Sequence, residues 1–361
     1  MFKNMAIIQQ DIPHIQDALL QWYQANKRDL PWRRQSNAYY TLVSEIMLQQ
    51  TKVATVIPYY ERFITRFPTV YDLATASDDD VVKLWEGLGY YSRARNLHTA
   101  IKEVVATYNG QIPMKKEEIS KLKGIGPYTT GAVLSIAYNQ KVPAVDGNVM
   151  RVFSRIFALE DDIAKASTRK RMENIAEEVI PEHAPGDFNQ ALMELGATIC
   201  TPKSPQCLFC PVKDVCLAYE KGLEKVLPIK KKSKAPEKTA IVMYAISFNT
   251  HLLLQKRPST GLLANMWSLP TEIRLEEMPF DDQIEEYCEI NGYSAKISSD
   301  IYQYDHIFSH RHWKIMLVSV ELLNKPDVTP KRSIWVDKHT ISDFAFPKVY
   351  LKALEQLGYR S

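Results

Sequence analysis

Four of the chain's five cysteines, Cys200, Cys207, Cys210 and Cys216, fall within the stretch CTPKSPQCLFCPVKDVC. Any fold built around this stretch must bring four thiols together, a stronger restriction than any other segment imposes. Two disulfides, a zinc ion or an iron–sulfur cluster would each satisfy it. The N-terminus, MFKNMAIIQQD, lacks an apolar run long enough for a signal peptide, and no later stretch approaches the roughly eighteen apolar residues of a membrane span. A soluble cytoplasmic protein is therefore expected, nucleoid-associated if the source is bacterial, with no membrane partner. A reducing compartment disfavours structural disulfides, so the four cysteines read as metal ligands. Zinc sites usually pair C-x2-C with a second such pair or with two histidines. The spacing here, C-x6-C-x2-C-x5-C, suits a cluster held by four thiolates better than a zinc ribbon, although spacing alone leaves zinc open.

The texture of the chain changes after these cysteines. Ile12, Ile15, Leu19 and Tyr23 are spaced as one face of a helix, and similar periodicity recurs over residues 39–67, 78–87, 93–108, 115–123, 128–138 and 147–158. Residues 1–227 are expected to be all-helical. PIKKKSKAPEK, residues 228–238, is rich in lysine and proline and reads as a linker. Beyond it AIVMYAISF, HLLLQKR, WKIMLVSVEL and SIWV are short and rich in β-branched and aromatic residues. A mixed α and β domain is expected over residues 239–361. The length of 361 residues agrees with two domains, and a formal charge of +3 is too small to argue for a polyanionic partner by itself.

Within the helical region LKGIGPYTTGAV, residues 122–133, reads as helix, GxG turn and helix. Gly124 and Gly126 are free to take positive φ and to let another backbone approach. The outward amides of such a turn form an anion site, and a helix-hairpin-helix grips a DNA phosphate without reading sequence. The alternative is an αα-corner in which the glycines only permit the bend. In VPAVDGNVMRVFSR, Asp146 is placed to cap a helix beginning near Gly147, and helix amides are expected to lower its pKa.

The hairpin, the Val-Asp-Gly-Asn aspartate and the cysteine loop together resemble the helix-hairpin-helix DNA glycosylase superfamily that includes endonuclease III. The resemblance implies one [4Fe-4S] cluster held by Cys200, Cys207, Cys210 and Cys216, pinning a loop in which Lys203 and Lys213 meet phosphates. Bifunctional relatives carry a nucleophilic lysine where this chain has Tyr128, so a monofunctional enzyme is expected. Tyr128, the segment LVSEIMLQQT and the extra C-terminal domain resemble the adenine DNA glycosylase (MutY) family. That likeness makes Glu45 the catalytic acid, Asp146 the anion facing the sugar, and Tyr128 and Asn148 the residues that orient them. In GLGYYSR, residues 87–93, Tyr90 would wedge into the base stack, with Leu88, Gln50 and Thr51 at the exposed edge of 8-oxoguanine. From the residues alone, the same stretch reads equally as a capped helix end with core tyrosines, and Glu45 as part of a solvated stripe.

The C-terminal domain is similar to the Nudix fold. It lacks the R-E-x2-E-E pattern that holds magnesium, offering only DDQIEEYCEINGY at 281–293, so a recognition module without hydrolase chemistry is expected. In YDHIFSHRHW the family likeness assigns Phe308, Ser309 and His310 to inspection of 8-oxoguanine. His306, His310 and His312 offer a weaker alternative as a zinc site, since no cysteine or second histidine pair lies nearby and strand alternation would put all three on one face as readily for phosphate contact. Cys288 is expected to be an inert thiol. The implied function is excision of adenine opposite 8-oxoguanine or guanine in double-stranded DNA, by a monomer. A bifunctional endonuclease III-like or thymine mismatch glycosylase and a noncatalytic iron–sulfur DNA sensor are the rival classes.

Overall fold

A computed structural model describes residues 3–35, 37–231, 235–326 and 328–360. In chain order, the helices before the first strand are α1 (Lys3–Asn26), α2 (Ala38–Leu48), α3 (Val53–Arg66), α4 (Val70–Thr75), α5 (Asp78–Leu84) and α6 (Ser92–Tyr108). They continue with α7 (Lys116–Ile119), α8 (Pro127–Tyr138), α9 (Gly147–Ile156), α10 (Ala166–Val179), α11 (Pro185–Thr198) and α12 (Leu217–Glu220). There follow β1 (Glu237–Phe248), β2 (His251–Lys256), β3 (Trp267–Ser268), β4 (Thr271–Ile273), α13 (Phe280–Ile290), β5 (Ala295–Ile307), β6 (Arg311–Leu322), β7 (Ser333–Asp337) and α14 (Lys348–Gln356).

The chain divides into two units, Met1–Ala76 with Asn96–Lys232, and Ser77–Arg95 with Ser233–Ser361. The first is helical. Ile15, Leu19 and Tyr23 of α1, read from the sequence as one face, are buried in a core with Phe153 of α9, Met172 of α10 and Phe188 of α11. Side-chain caps set several helix starts. Asn37 accepts from the amides of Tyr39 and Tyr40 at the head of α2, and Thr69 and Asp72 form a reciprocal capping box on α4.

The periodicity over 39–67 divides into two helices, because Gln50 takes a left-handed conformation and the chain restarts at α3. Over 115–123 only α7 forms. Helices α10 and α11, not singled out by periodicity, complete the core. Among the described residues no helix is long and apolar enough to cross a membrane.

The second unit is a seven-stranded mixed sheet with the order β3-β2-β1-β6-β5; β4 pairs with β1 and β7 with β2. The central pair, β1 and β6, is parallel. Alternation along β1 divides its side chains between the two faces. Ile241, Met243 and Ala245 pack in a core with α14, whereas Val242, Tyr244 and Ile246 pack with Ile284 and Cys288 of α13. Cys288 is thus a buried free thiol.

Residues 77–95, expected within the helical region, belong to this unit. Glu86 accepts from Arg360 at 2.6 and 2.9 Å and from the Phe346 amide at 2.8 Å, and the Tyr91 hydroxyl donates to the Phe346 carbonyl. Of the expected linker, residues 232–234 lie outside the described residues, and Glu237 and Lys238 already belong to β1.

Candidate functional site

Three helices bring the expected residues of the first unit together. Glu45 lies in the last turns of α2 and is buried, which removes the reading of it as part of a solvated stripe. Tyr128, in the first turn of α8, donates its hydroxyl hydrogen to Glu45 Oε2. Asp146 is the N-cap of α9: its Oδ1 accepts from the Val149 amide at 2.7 Å, and its Oδ2 from Asn148 Nδ2 at 2.8 Å. Asn148 Oδ1 in turn accepts from Arg151 Nη2 at 2.8 Å, while Arg151 also donates to the carbonyls of Gly196 and Cys200. The helices sit this close because α11 presents no side chain at Gly196, where a Cβ would come within 2.7 Å of the Asn148 Cβ.

Burial raises the pKa of both carboxyl groups. Burial pushes the Glu45 pKa up to about 7; the Tyr128 hydrogen bond and Arg33 oppose that rise and Asp146 adds to it. Glu45 is therefore poised near neutrality. Asp146 departs from expectation. It keeps part of its surface open, yet burial outweighs the helix-amide, Asn148 and Arg151 interactions and leaves its carboxyl above the ordinary aspartate value. Desolvation is a tertiary effect that the capping pattern did not contain.

Sequence reasoning missed one wall of this site. A cleft of about 360 Å³ is lined by Glu45 together with Tyr23, Arg28, Trp32, Arg33 and Gln190. Arg33 Nε donates to Gln190 Oε1 at 3.1 Å and Nη1 to the Arg28 carbonyl at 3.0 Å. Aromatic rings, the Gln190 amide and guanidinium groups, with Glu45 as the buried carboxyl beside the more open Asp29 and Asp187, suit a flat heteroaromatic ring. The pairs are about 160 residues apart in sequence, so no local pattern announced them.

The hairpin behaves as expected at one glycine only. Gly124 takes positive φ, and a Cβ there would meet Asn96 Cβ at 2.7 Å. Gly126 is extended instead; it is the N-cap of α8, and nothing stands within 4 Å of where its Cβ would be. Its contribution is open space before a helix N-terminus. Gln50 and Thr51 occupy the turn between α2 and α3, with the Gln50 side chain exposed.

Cys200, Cys207, Cys210 and Cys216 are free thiols lining one small cavity between α9 and the loop after α11. Arg155 Nη1 lies 3.1 Å from Cys200 Sγ and 2.8 Å from the Thr201 carbonyl. Among the described residues no three of His, Cys, Asp and Glu are gathered as for a single metal ion. Four thiols around one cavity with a cation beside them fit a larger anionic cluster. Lys203 is exposed and Lys213 half-buried on the same loop.

In the second unit Phe308, Ser309 and His310 form the turn joining β5 and β6. The Ser309 and Tyr90 hydroxyls lie 3.1 Å apart. Both line a cleft of about 640 Å³ with Leu88, Phe308 and His310. Tyr90 is exposed with positive φ, whereas Leu88 and Tyr91 are buried, Leu88 lining the cleft. The three histidines do not assemble. His312 pairs with Asp305 at 2.7 Å, His306 packs edge-on against Phe308, and His310 lies in the turn rather than on a strand. On α13 the Glu285, Glu286 and Glu289 side chains face solvent, and the buried polar residue is Gln283, bonded to Glu272 and Arg274.

This arrangement belongs to a known class. Residues 43–182 match the HhH-GPD superfamily base excision DNA repair protein, and residues 241–356 the NUDIX domain. A solved thermostable thymine-DNA glycosylase is 29% identical with a TM-score of 0.53, covering 59% of this chain and 98% of that one. An endonuclease III in a non-covalent complex with DNA is 24% identical with a TM-score of 0.51, over 60% of this chain and 99% of that one, and shares the fold. The chain is 36% identical to the adenine DNA glycosylase of Rattus norvegicus, over 83% of this chain and 69% of that protein. It is 33% identical to that of Buchnera aphidicola, over 93% of this chain and 96% of that protein. The chain belongs to the adenine DNA glycosylase family.

Proposed function

We propose that this protein is a monofunctional glycosylase that excises adenine from double-stranded DNA, where adenine lies opposite 8-oxoguanine or guanine, in base excision repair. The observation that carries the reading is a buried Glu45 with a pKa of about 7, held by Tyr128 in a cleft shaped for a ring, near an N-capped aspartate. Cleaving an N-glycosidic bond builds negative charge on the base and positive charge on the sugar. Glu45 delivers a proton to adenine N7, and Asp146, as the anion, faces C1′, a division of labour seen in other paired-carboxylate sites. A carboxylate about 4 Å from the oxocarbenium contributes roughly 4 kcal/mol at an effective dielectric near 20, about a thousandfold in rate. Asn148 holds Asp146 in register, and Arg151 holds Asn148. With tyrosine at position 128 no amine is available there for a Schiff base, so the strand stays intact.

The base must leave the duplex to reach this cleft, at a cost of a few kcal/mol. Tyr90 offsets that cost by entering the stack, Gly124 and Gly126 grip a phosphate, and Gln50, Thr51 and Leu88 border the lesion. Phe308, Ser309 and His310 inspect the 8-oxoguanine left behind; its N7–H is a donor that a Ser309 hydroxyl accepts, whereas guanine offers an acceptor there. Cys200, Cys207, Cys210 and Cys216 are suited to hold one [4Fe-4S] cluster. When bound it supplies a crosslink that shapes the loop carrying Lys203 and Lys213, and no step of the excision is routed through it. On this reading residues 1–76 and 96–227 form the catalytic region, and residues 77–95 and 239–361 the recognition domain. The test is Glu45→Gln, which should keep duplex affinity and lose excision; near-normal excision would remove Glu45 from the mechanism.

A further inference from the structure

The cationic wall of the base cleft is held by a residue that does not line it. Glu194 of α11 is buried, with a side chain 1% exposed, and accepts from both Arg28 and Arg33. Arg28 reaches it through Nε at 2.5 Å and Nη2 at 3.1 Å, and Arg33 through Nη2 at 2.9 Å. Burial alone would raise the Glu194 carboxyl, but the two guanidinium groups hold it below the ordinary range. Both arginines line the cleft that contains Glu45, and Glu194 does not.

We propose that Glu194 is a positioning residue for base excision: it clamps Arg28 and Arg33 as a wall of net single positive charge, which sets the protonation of Glu45 and faces the charge that develops on the leaving base. The inference rests on the reading of Glu45 as the acid.

Three neighbours act on Glu45: Tyr128 from α8, Asp146 from the α9 N-terminus and Arg33 from the turn before α2. Of these, Arg33 is the cation, and it opposes the rise caused by burial. Around the clamp stand Tyr23 of α1, whose ring lies 5.4 Å from the Arg33 guanidinium, Asp187 of α11, and Lys27, Asp29 and Arg34 on the same cleft, Arg34 paired with Asp29. Without Glu194 the wall would carry two positive charges, and Glu45 would lose its proton at lower pH. Without Arg28 the wall would be neutral, and Glu45 would keep its proton to higher pH. The clamp therefore holds the acid where it is protonated near neutrality. The three charged groups come from α1's end, the following turn and α11, so the wall depends on tertiary packing. Arg33 also keeps its bonds to Gln190 and the Arg28 carbonyl, so a Gln in place of Glu194 changes charge more than position.

The test is the pH dependence of single-turnover adenine excision for the full chain with its cluster, comparing wild type, Glu194→Gln, Glu194→Asp, Arg28→Met and Glu45→Gln. Glu194→Gln should move the alkaline limb down by about half a pH unit or more, and Glu194→Asp should restore it. Arg28→Met should move the same limb up. If Glu194→Gln melts at lower temperature but leaves the limb in place, Glu194 is merely structural and the proposal fails. If Glu194→Gln does not fold, Arg28→Met decides, and an unmoved or downward limb overturns the proposal. Glu45→Gln separates the two readings: an active Glu45→Gln refutes the acid itself, whereas an inactive one with unmoved limbs in the other variants refutes only the clamp.

Discussion

Replacing Glu45 with Gln should stabilise the protein at alkaline pH while abolishing its activity. The carboxyl titrates near 7 in the fold because of burial, against 4.5 for an ordinary glutamate. A folded pKa above the unfolded one means that the native state holds the proton more tightly. That contribution is fully present below about pH 4.5 and is lost as pH rises through about 7. The difference, about 2.5 units at about 1.4 kcal/mol each, amounts to roughly 3 kcal/mol. Gln has the same shape, accepts the Tyr128 hydrogen bond and carries no charge to desolvate. Its stability relative to wild type should therefore rise between about pH 5 and about pH 8 by roughly 3 kcal/mol, or on the order of 5 to 10 °C in melting temperature. Parallel thermal melts of the two proteins across that range would show it. A constant difference between variant and wild type at all pH values would refute the argument that Glu45 is held neutral by burial.

Other outcomes follow from the same geometry. Ser309→Ala should reduce the preference for adenine opposite 8-oxoguanine over adenine opposite guanine by around tenfold or less, the worth of one hydrogen bond, leaving the excision step itself intact; single-turnover rates and binding constants on both duplexes would measure this. Gly196→Ala drives a methyl group toward Asn148 Cβ at 2.7 Å and should cost about 1 to 3 kcal/mol of stability together with a loss of excision that exceeds any loss of DNA affinity. The purified protein should be yellow-brown with broad absorbance near about 400 nm, as iron–sulfur proteins are; a colourless, fully active protein with stoichiometric zinc would contradict the assigned cluster.

What was legible in the sequence was local. The cysteine spacing, the GIG turn, the capping aspartate and the β-branched strands each lie within one short window, and the structure places them as loop, helix start, N-cap and sheet. The pairing of Glu45 with Tyr128 spans 83 residues and was reached through family likeness rather than pattern. Arg28, Arg33, Gln190 and Glu194 were not found because a buried ion pair between α1's end and α11 leaves no periodic trace in either segment. The raised pKa of Asp146 was missed for a related reason: an N-cap is visible in sequence, but desolvation depends on what packs above it. The membership of residues 77–95 in the second unit rests on Glu86, Tyr91 and their partners near the C-terminus, again a contact between distant segments.

The most direct test of the account is a single-turnover assay on duplexes containing adenine opposite 8-oxoguanine, adenine opposite guanine and thymine opposite guanine, each analysed with and without alkali. The account predicts adenine release from the first two, fastest from the first, with strand breaks appearing only after alkali. Strand cleavage without alkali, accompanied by a borohydride-trapped protein–DNA adduct, or excision of thymine in place of adenine, would contradict it.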